Sequence, residues 1–177
     1  MENFFSSRNF LMVYAIILTI CNPLYIFKAN AVELIISEKS GFSSTFEDEK
    51  GNQLTLENFE GNLLLVNLWA TWCEPCKDEM PSLEALQNHF SKDSFLVLPI
   101  NLDRGPKKNA TNFFKDQNIN DLKIYFDEKN EIPREVKILG LPVSIFISKE
   151  GKEIARLIGP AQWDDQYFIN FVKDNLF

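Results

Sequence analysis

Two short apolar runs, residues 63–69 and 94–101, interrupt an otherwise mixed pattern, and each is bounded by polar or turn residues. Runs of that length without alternation are the pattern of strands buried on both faces of a sheet. Between them, residues 74–90 carry Met80, Leu83, Leu86 and Phe90 at helical spacing, which predicts an amphipathic helix. A further helix is predicted over 107–117, a strand over 122–126, and a short helix over 131–139 that Gly140 stops. Strand, helix, strand and helix in succession imply parallel crossovers. Residues 143–148 and 152–157 flank the turn Lys149-Glu150-Gly151, so the sheet is expected to end in an antiparallel hairpin. Residues 163–176 close the chain as an amphipathic helix begun by Asp164 and Asp165.

Ahead of the first apolar run the pattern is looser. Residues 32–41 are assigned as a linker, ending near the Ser-rich Ser40-Gly41-Phe42-Ser43-Ser44, and residues 42–177 as the folded domain. A strand starts within 42–46, Glu49-Lys50-Gly51-Asn52 turns, and 54–59 reads as a strand end plus a helical turn. Together they predict a hairpin placed before the main sheet.

The first 31 residues differ in kind. Phe10 to Cys21 is apolar apart from Thr19, and the run resumes at Leu24-Tyr25-Ile26-Phe27 after Pro23. Arg8 and the terminal amine form a weak positive flank, and Ala29-Asn30-Ala31 fits a small-x-small cleavage site. Residues 10–27 are also long enough to span a bilayer. We read residues 1–31 as a membrane anchor, with a signal peptide cleaved after Ala31 as the alternative. In both cases the positive flank stays inside and the body faces an oxidising compartment such as a bacterial periplasm. Cys21 is read as one apolar residue of this segment.

Length and charge narrow the classes further. At 177 residues the chain is one domain plus an extension, with sixteen phenylalanines to fill a core. The net charge is −7; Arg8 and Lys28 against Glu2 leave the first 31 residues at +1 and the remainder at −8. That balance argues against nucleic acid as a partner.

The chemistry is carried by Trp69-Ala70-Thr71-Trp72-Cys73-Glu74-Pro75-Cys76, where the buried strand runs into a Cys-x-x-Cys at the start of the predicted helix. A thiolate there is stabilised by unpaired backbone N–H groups and the positive end of the helix dipole, so its pKa falls below the free value of about 8.5. Cys73 is the candidate nucleophile and Cys76, one turn deeper, the candidate resolving thiol. Pro75 suits the first helical turn, where an N–H has no intrahelical partner. Half of a zinc site and a purely structural disulfide are the plain alternatives. A zinc site needs two more ligands, and the chain offers only Cys21 and His89. His89 lies sixteen positions along the same helix from Cys73, roughly 24 Å, too far to act as its base. No metal ligand set and no cofactor beyond a Cys73–Cys76 disulfide are therefore assigned.

Leu65-Val66-Asn67-Leu68-Trp69-Ala70-Thr71-Trp72-Cys73, Cys76-Lys77-Asp78-Glu79-Met80-Pro81, Gly140-Leu141-Pro142 and Gly159-Pro160-Ala161-Gln162-Trp163 together resemble the thioredoxin superfamily. Within it, the chain is similar to the TlpA/ResA branch of membrane-tethered thiol-disulfide oxidoreductases, and the last segment favours the TlpA side. The resemblance covers residues 42–177. It implies an α/β thioredoxin fold, a central mixed sheet flanked by helices, with an N-terminal β-hairpin extension and a β-α insertion. It also implies a cis Pro142 beside the cysteines, with the backbone of Leu141 offered to an extended substrate segment. Thioredoxins carry a buried acid where this chain has Asn67; in ResA-like proteins a glutamate placed as Glu79 is here serves proton transfer. Glu79 stands three residues after Cys76 on the same helical face. Trp72 is expected to be exposed beside Cys73 as part of an apolar platform for partners, and Trp69 to be core. Glu74, between the cysteines, opposes thiolate charge.

The function this implies is a thiol:disulfide interchange protein working as a reductase of protein disulfides. The resemblance implies clients among copper-centre assembly factors of cytochrome oxidase or apocytochrome c, with a membrane thiol reductase as electron donor and the bacterial inner membrane as location. Three alternatives stand beside it. One is a copper-binding assembly protein of the same fold, which would want a wider cysteine spacing and a late histidine. The others are a thiol peroxidase and a redox-inactive binding module with a structural disulfide.

Overall fold

Residues 63–69 form the middle of the sheet. A computed structural model describes residues 33–176, and the anchor or signal peptide, with Cys21, lies outside the described residues. Among these residues one sheet of eight strands runs in the order β1-β8-β7-β4-β5-β6-β2-β3. Its strands are β1 (Ile35–Ser40), β2 (Phe46–Glu47), β3 (Gln53–Leu54), β4 (Leu63–Trp69), β5 (Phe95–Asn101), β6 (Tyr125–Phe126), β7 (Val143–Ile147) and β8 (Lys152–Ile158). The helices are α1 (Glu74–Asn88), α2 (Lys108–Asp116), α3 (Glu131–Glu135) and α4 (Gln166–Asp174), with a 3-10 turn at Leu56–Phe59. β4, β5 and β6 pair in parallel, as the crossovers predict. β7 pairs antiparallel to β4, and β8 antiparallel to β7.

All seven residues of β4 are buried, because both faces of the sheet are covered. Strand alternation splits them. Leu63, Leu65 and Trp69 join a core with Met80, Leu83 and Leu86 of α1 and with Phe168, Ile169 and Val172 of α4. Leu64, Val66 and Leu68 join a second core with Phe42, Phe46, Leu56, Tyr125 and Ile132. Asn67 falls on the first of these faces, under the helix that carries the cysteines.

Four expectations need correction. The linker assigned to 32–41 contains β1, which pairs antiparallel with β8 at one edge of the sheet. Five of its six residues are exposed, and a strand wetted on both sides shows no alternation to read. The hairpin of β2 and β3 does not precede the main sheet but extends its far edge, through β2 on β6. The last helix begins at Gln166 rather than 163, because Trp163 spends its backbone N–H on the Ser82 hydroxyl at 3.0 Å and lies fully buried outside the helix. The helix expected over 131–139 is one short turn, α3, closed by Ile138 N–H donating to Pro133 C=O at 3.1 Å.

Candidate active site

β4 ends at Trp69, and four residues later Cys73 sits at the N-cap of α1. The loop between them is clamped. Thr71 N–H donates to the Asp103 carboxylate at 3.2 Å, and Asn101 Nδ2 donates to Asp103 Oδ2 at 3.1 Å. Leu102 N–H donates to Trp69 C=O at 2.9 Å, so the loop after β5 holds the loop after β4. Lys77 N–H to Cys73 C=O is the first intrahelical bond, which leaves the amides of Glu74 and Cys76 ahead of it at the positive end of the helix.

Cys73 and Cys76 are joined as a disulfide. Cys73 keeps 6% of its surface in contact with solvent and Cys76 none, so one sulfur is reachable and the other is not. Trp72, beside Cys73, is 72% exposed, whereas Trp69 is fully buried against Phe113 and Phe114. Glu74 is exposed and ion-paired with Lys77 at 2.6 Å. His89 caps the far end of α1, exposed and remote from the sulfurs.

The Leu141–Pro142 peptide is cis and leads directly into β7. Pro142 is buried, its carbonyl accepting from Gly159 N–H at 2.9 Å, and half-buried Leu141 packs on the apolar cluster that includes both cysteines. Sheet register therefore brings the Gly140-Leu141-Pro142 turn to the same end of the sheet as Cys73.

Glu79 is a buried carboxyl of the site, 3% exposed on the inner face of α1. Its Oε1 accepts from Asn67 Nδ2 at 2.8 Å; its Oε2 accepts from Trp163 Nε1 at 2.9 Å and from Ala161 N–H at 3.0 Å. Burial outweighs these donors and pushes the carboxyl from 4.5 up to about 7. Asn67 Nδ2 also donates to Ser144 Oγ at 2.9 Å, from the residue paired with it across β4 and β7. Asn67 Oδ1 is left buried with no donor. Ser82 completes the frame, donating to Glu79 C=O at 2.7 Å while accepting from Trp163 N–H. Asn67 and Glu79 were visible in the sequence as separate residues. Ser144, Ser82 and the Trp163 indole were not, and the Gly159-to-Trp163 segment was the one signal that pointed to them.

The fold and this pair of cysteines define a thioredoxin-like α/β protein with a disulfide at a helix N-terminus, one sulfur accessible. Residues 39–154 match the AhpC/TSA family, and the chain belongs to that family. It is similar to the thiol-disulfide oxidoreductase ResA of Bacillus subtilis, 30% identical over 114 residues, 64% of this chain and 62% of that protein. It is also similar to the sporulation thiol-disulfide oxidoreductase A of the same organism, 26% identical over 113 residues, 63% of this chain and 67% of that one. The chain thus spans about three-fifths of the length of the ResA proteins it matches. Among solved structures, a thiol:disulfide interchange protein of the thioredoxin family from Chlorobium tepidum superposes with a TM-score of 0.65 at 24% identity, over 80% of this chain and 98% of that one. StoA of Bacillus subtilis superposes with a TM-score of 0.57 at 24% identity, over 67% and 88% of the two chains.

Proposed function

We propose that this chain is a thiol:disulfide interchange protein that reduces disulfides of specific client proteins. The observation that carries the reading is the asymmetry of the pair: a reachable Cys73 at a helix N-terminus and an inaccessible Cys76 on the helical face that carries the buried Glu79. In the reduced protein the Cys73 thiolate attacks one sulfur of the client disulfide. An S–S bond forms to Cys73, and the other client sulfur leaves as a thiolate that takes a proton from solvent. Cys76 then attacks Cys73 Sγ, the mixed disulfide breaks, and the second client sulfur leaves. The client gains two electrons, and the protein ends with Cys73–Cys76 oxidised.

The second step must deprotonate a buried thiol. Bulk water does not reach Cys76, and Glu79, with a carboxyl near 7, is the buried acceptor poised to take that proton and return it. Leu141, beside the cis Pro142, offers its backbone to an extended client segment, and Trp72 covers the apolar flank of the target cysteine. No cofactor is needed beyond the disulfide itself.

The clients we propose are copper-centre assembly factors or apocytochrome c. Electrons come from a membrane thiol reductase, and the body faces the periplasm from a segment in residues 1–31. Among the described residues no helix is long and apolar enough to cross a membrane.

The test is the reduction potential of the Cys73–Cys76 pair, equilibrated against a defined dithiol buffer. A value at or below about −230 mV supports client reduction; a value above about −180 mV makes the protein an oxidant or isomerase and overturns the direction proposed. Membership of the AhpC/TSA family keeps a second reading, a thiol peroxidase, in view. Turnover of hydrogen peroxide by a Cys76→Ser variant would support that reading instead.

A further inference from the structure

Two adjoining clefts that share Arg104 and Asn130 form a groove that leads away from Trp72, the neighbour of Cys73. Its first part, an open 570 Å³, is lined by Trp72, Asp103, Arg104 and Asn130. Its second, 330 Å³, shares Arg104 and Asn130 and continues along Arg134, Lys137 and Leu139. The two most exposed large apolar side chains of the described residues stand at its ends, Trp72 at 72% and Leu139 at 105%. Leu139 is two residues ahead of Leu141 in the chain.

Charge along the groove is opposite to that of the body. The chain beyond residue 31 carries −8, yet the exposed charged side chains lining the groove are Arg104, Arg134 and Lys137. Among the described residues the only carboxylate lining it, Asp103, is buried and committed to Thr71 and Asn101. Of the nearby acids, Glu135 keeps its charge but lines neither cleft, its oxygens accepting from Ser43 and Ser44, and Glu131 lines a different cleft. None of the ion pairs among the described residues takes Arg104, Arg134 or Lys137. The segment around α3 is also held in shape. Arg134 is braced by donating Nε to Asn130 C=O at 2.8 Å and Nη2 to Lys129 C=O at 2.6 Å. Asn130 and Lys137, at either end of α3, adopt left-handed backbone with φ of 54° and 56°. For a lysine that conformation is uncommon and must be imposed by its surroundings.

We propose that this groove is a docking surface for the client polypeptide, selecting target cysteines flanked by acidic side chains together with an apolar residue. The proposal rests on the thiol:disulfide reading and names the sequence context that the same site accepts. The carboxylates of such a segment pair with Arg104, Arg134 and Lys137, while its apolar residue covers Leu139. Exposed charges of this kind act mainly on encounter rate and partner choice, and salt screens them.

The test uses the full chain, reduced, in mild detergent, with three substrates: a disulfide peptide flanked by glutamates, the same peptide flanked by lysines, and neutral hydroxyethyl disulfide. We expect the acidic peptide to be reduced about 10-fold faster than the basic one at low salt, with the preference largely lost near 0.5 M salt. The triple variant Arg104→Glu, Arg134→Glu, Lys137→Glu should reverse the preference while reducing hydroxyethyl disulfide at the wild-type rate. Equal rates on both peptides, with hydroxyethyl disulfide reduced normally, overturn the groove and leave the redox reading standing. Failure to reduce any of the three overturns the redox reading. In that case, binding of a cysteine-free acidic peptide, read by fluorescence anisotropy and lost in the triple variant, still decides the groove. Binding to anionic vesicles with no preference between the peptides would also overturn the proposal, assigning the cations to a lipid surface.

Discussion

The sharpest consequence of the buried network is a stability that falls as pH rises. Glu79 holds its proton up to about 7 in the folded chain, against 4.5 for an ordinary glutamate. Between those two values the folded state binds more protons than the unfolded one. Unfolding free energy therefore declines as pH rises through that window and levels off above about 7. Two and a half pH units at 1.36 kcal/mol each make the full decline about 3 kcal/mol. Glu79→Gln carries no charge and should not show it. Its amide oxygen can accept from Trp163 and Ala161, and turning over the Asn67 amide would present Oδ1, partnerless in the wild type, to the new NH2 group. The assay is urea unfolding at pH 5, 6, 7 and 8, followed by tryptophan fluorescence with the disulfide intact. The stability of Glu79→Gln minus that of the wild type should grow by about 2.5 kcal/mol between pH 5 and 8. Glu47, Asp48, Glu135, Glu150 and Glu153 have depressed pKa values, so the stability they contribute is lost only as pH falls below that window. It also cancels in the difference. A difference that does not change with pH would refute the reasoning, because Glu79 would then be ionised on both sides of the transition.

Other perturbations separate the parts of the site. Trp163→Phe removes an N–H bond to a charged acceptor and should cost about 1–3 kcal/mol at pH 8, less at pH 5, in the same titration, while moving the Glu79 transition further upward. Cys76→Ser should stall exchange at the mixed disulfide, read as a client adduct on a non-reducing gel that dithiothreitol removes; Cys73→Ser should give no adduct. Gly41→Ala would place a Cβ 2.6 Å from the Gly151 carbonyl oxygen and 2.8 Å from Leu56 Cδ1, where the backbone is already bonded to itself. We expect it to lower stability by about 1–3 kcal/mol without changing the potential of the cysteines.

What was legible in the sequence follows from the range of the interactions involved. β4, α1 and the β7–β8 hairpin write their period or their turn into a few consecutive residues, and they appear where the pattern puts them. Cys73, Cys76 and the turn at Pro142 were legible for the same reason, because each belongs to a short motif. The surroundings of Glu79 were not, since its indole partner lies 84 residues away and Ala161 82. Only the assembled sheet brings Asn67, Ser144 and Trp163 onto one carboxylate. β1 was hidden for the opposite reason: too little of it is buried to leave a pattern.

That inconspicuous strand decides where the protein can be cut. β8, with Ile154, Leu157 and Ile158, would otherwise offer a bare row of N–H and C=O groups at the margin of the sheet. β1 occupies that row, and it ends the sheet with Glu38, Lys39 and an irregular register between Ile36 and Lys39. Charge and a bulge at a margin discourage a further strand from joining. A shortened chain started at Phe42, where the polarity pattern alone would begin the domain, keeps Cys73, Cys76, Glu79 and its partners, and Pro142. It also turns β8 into a template for strands of neighbouring molecules, so self-association would follow from a truncation remote from the chemistry.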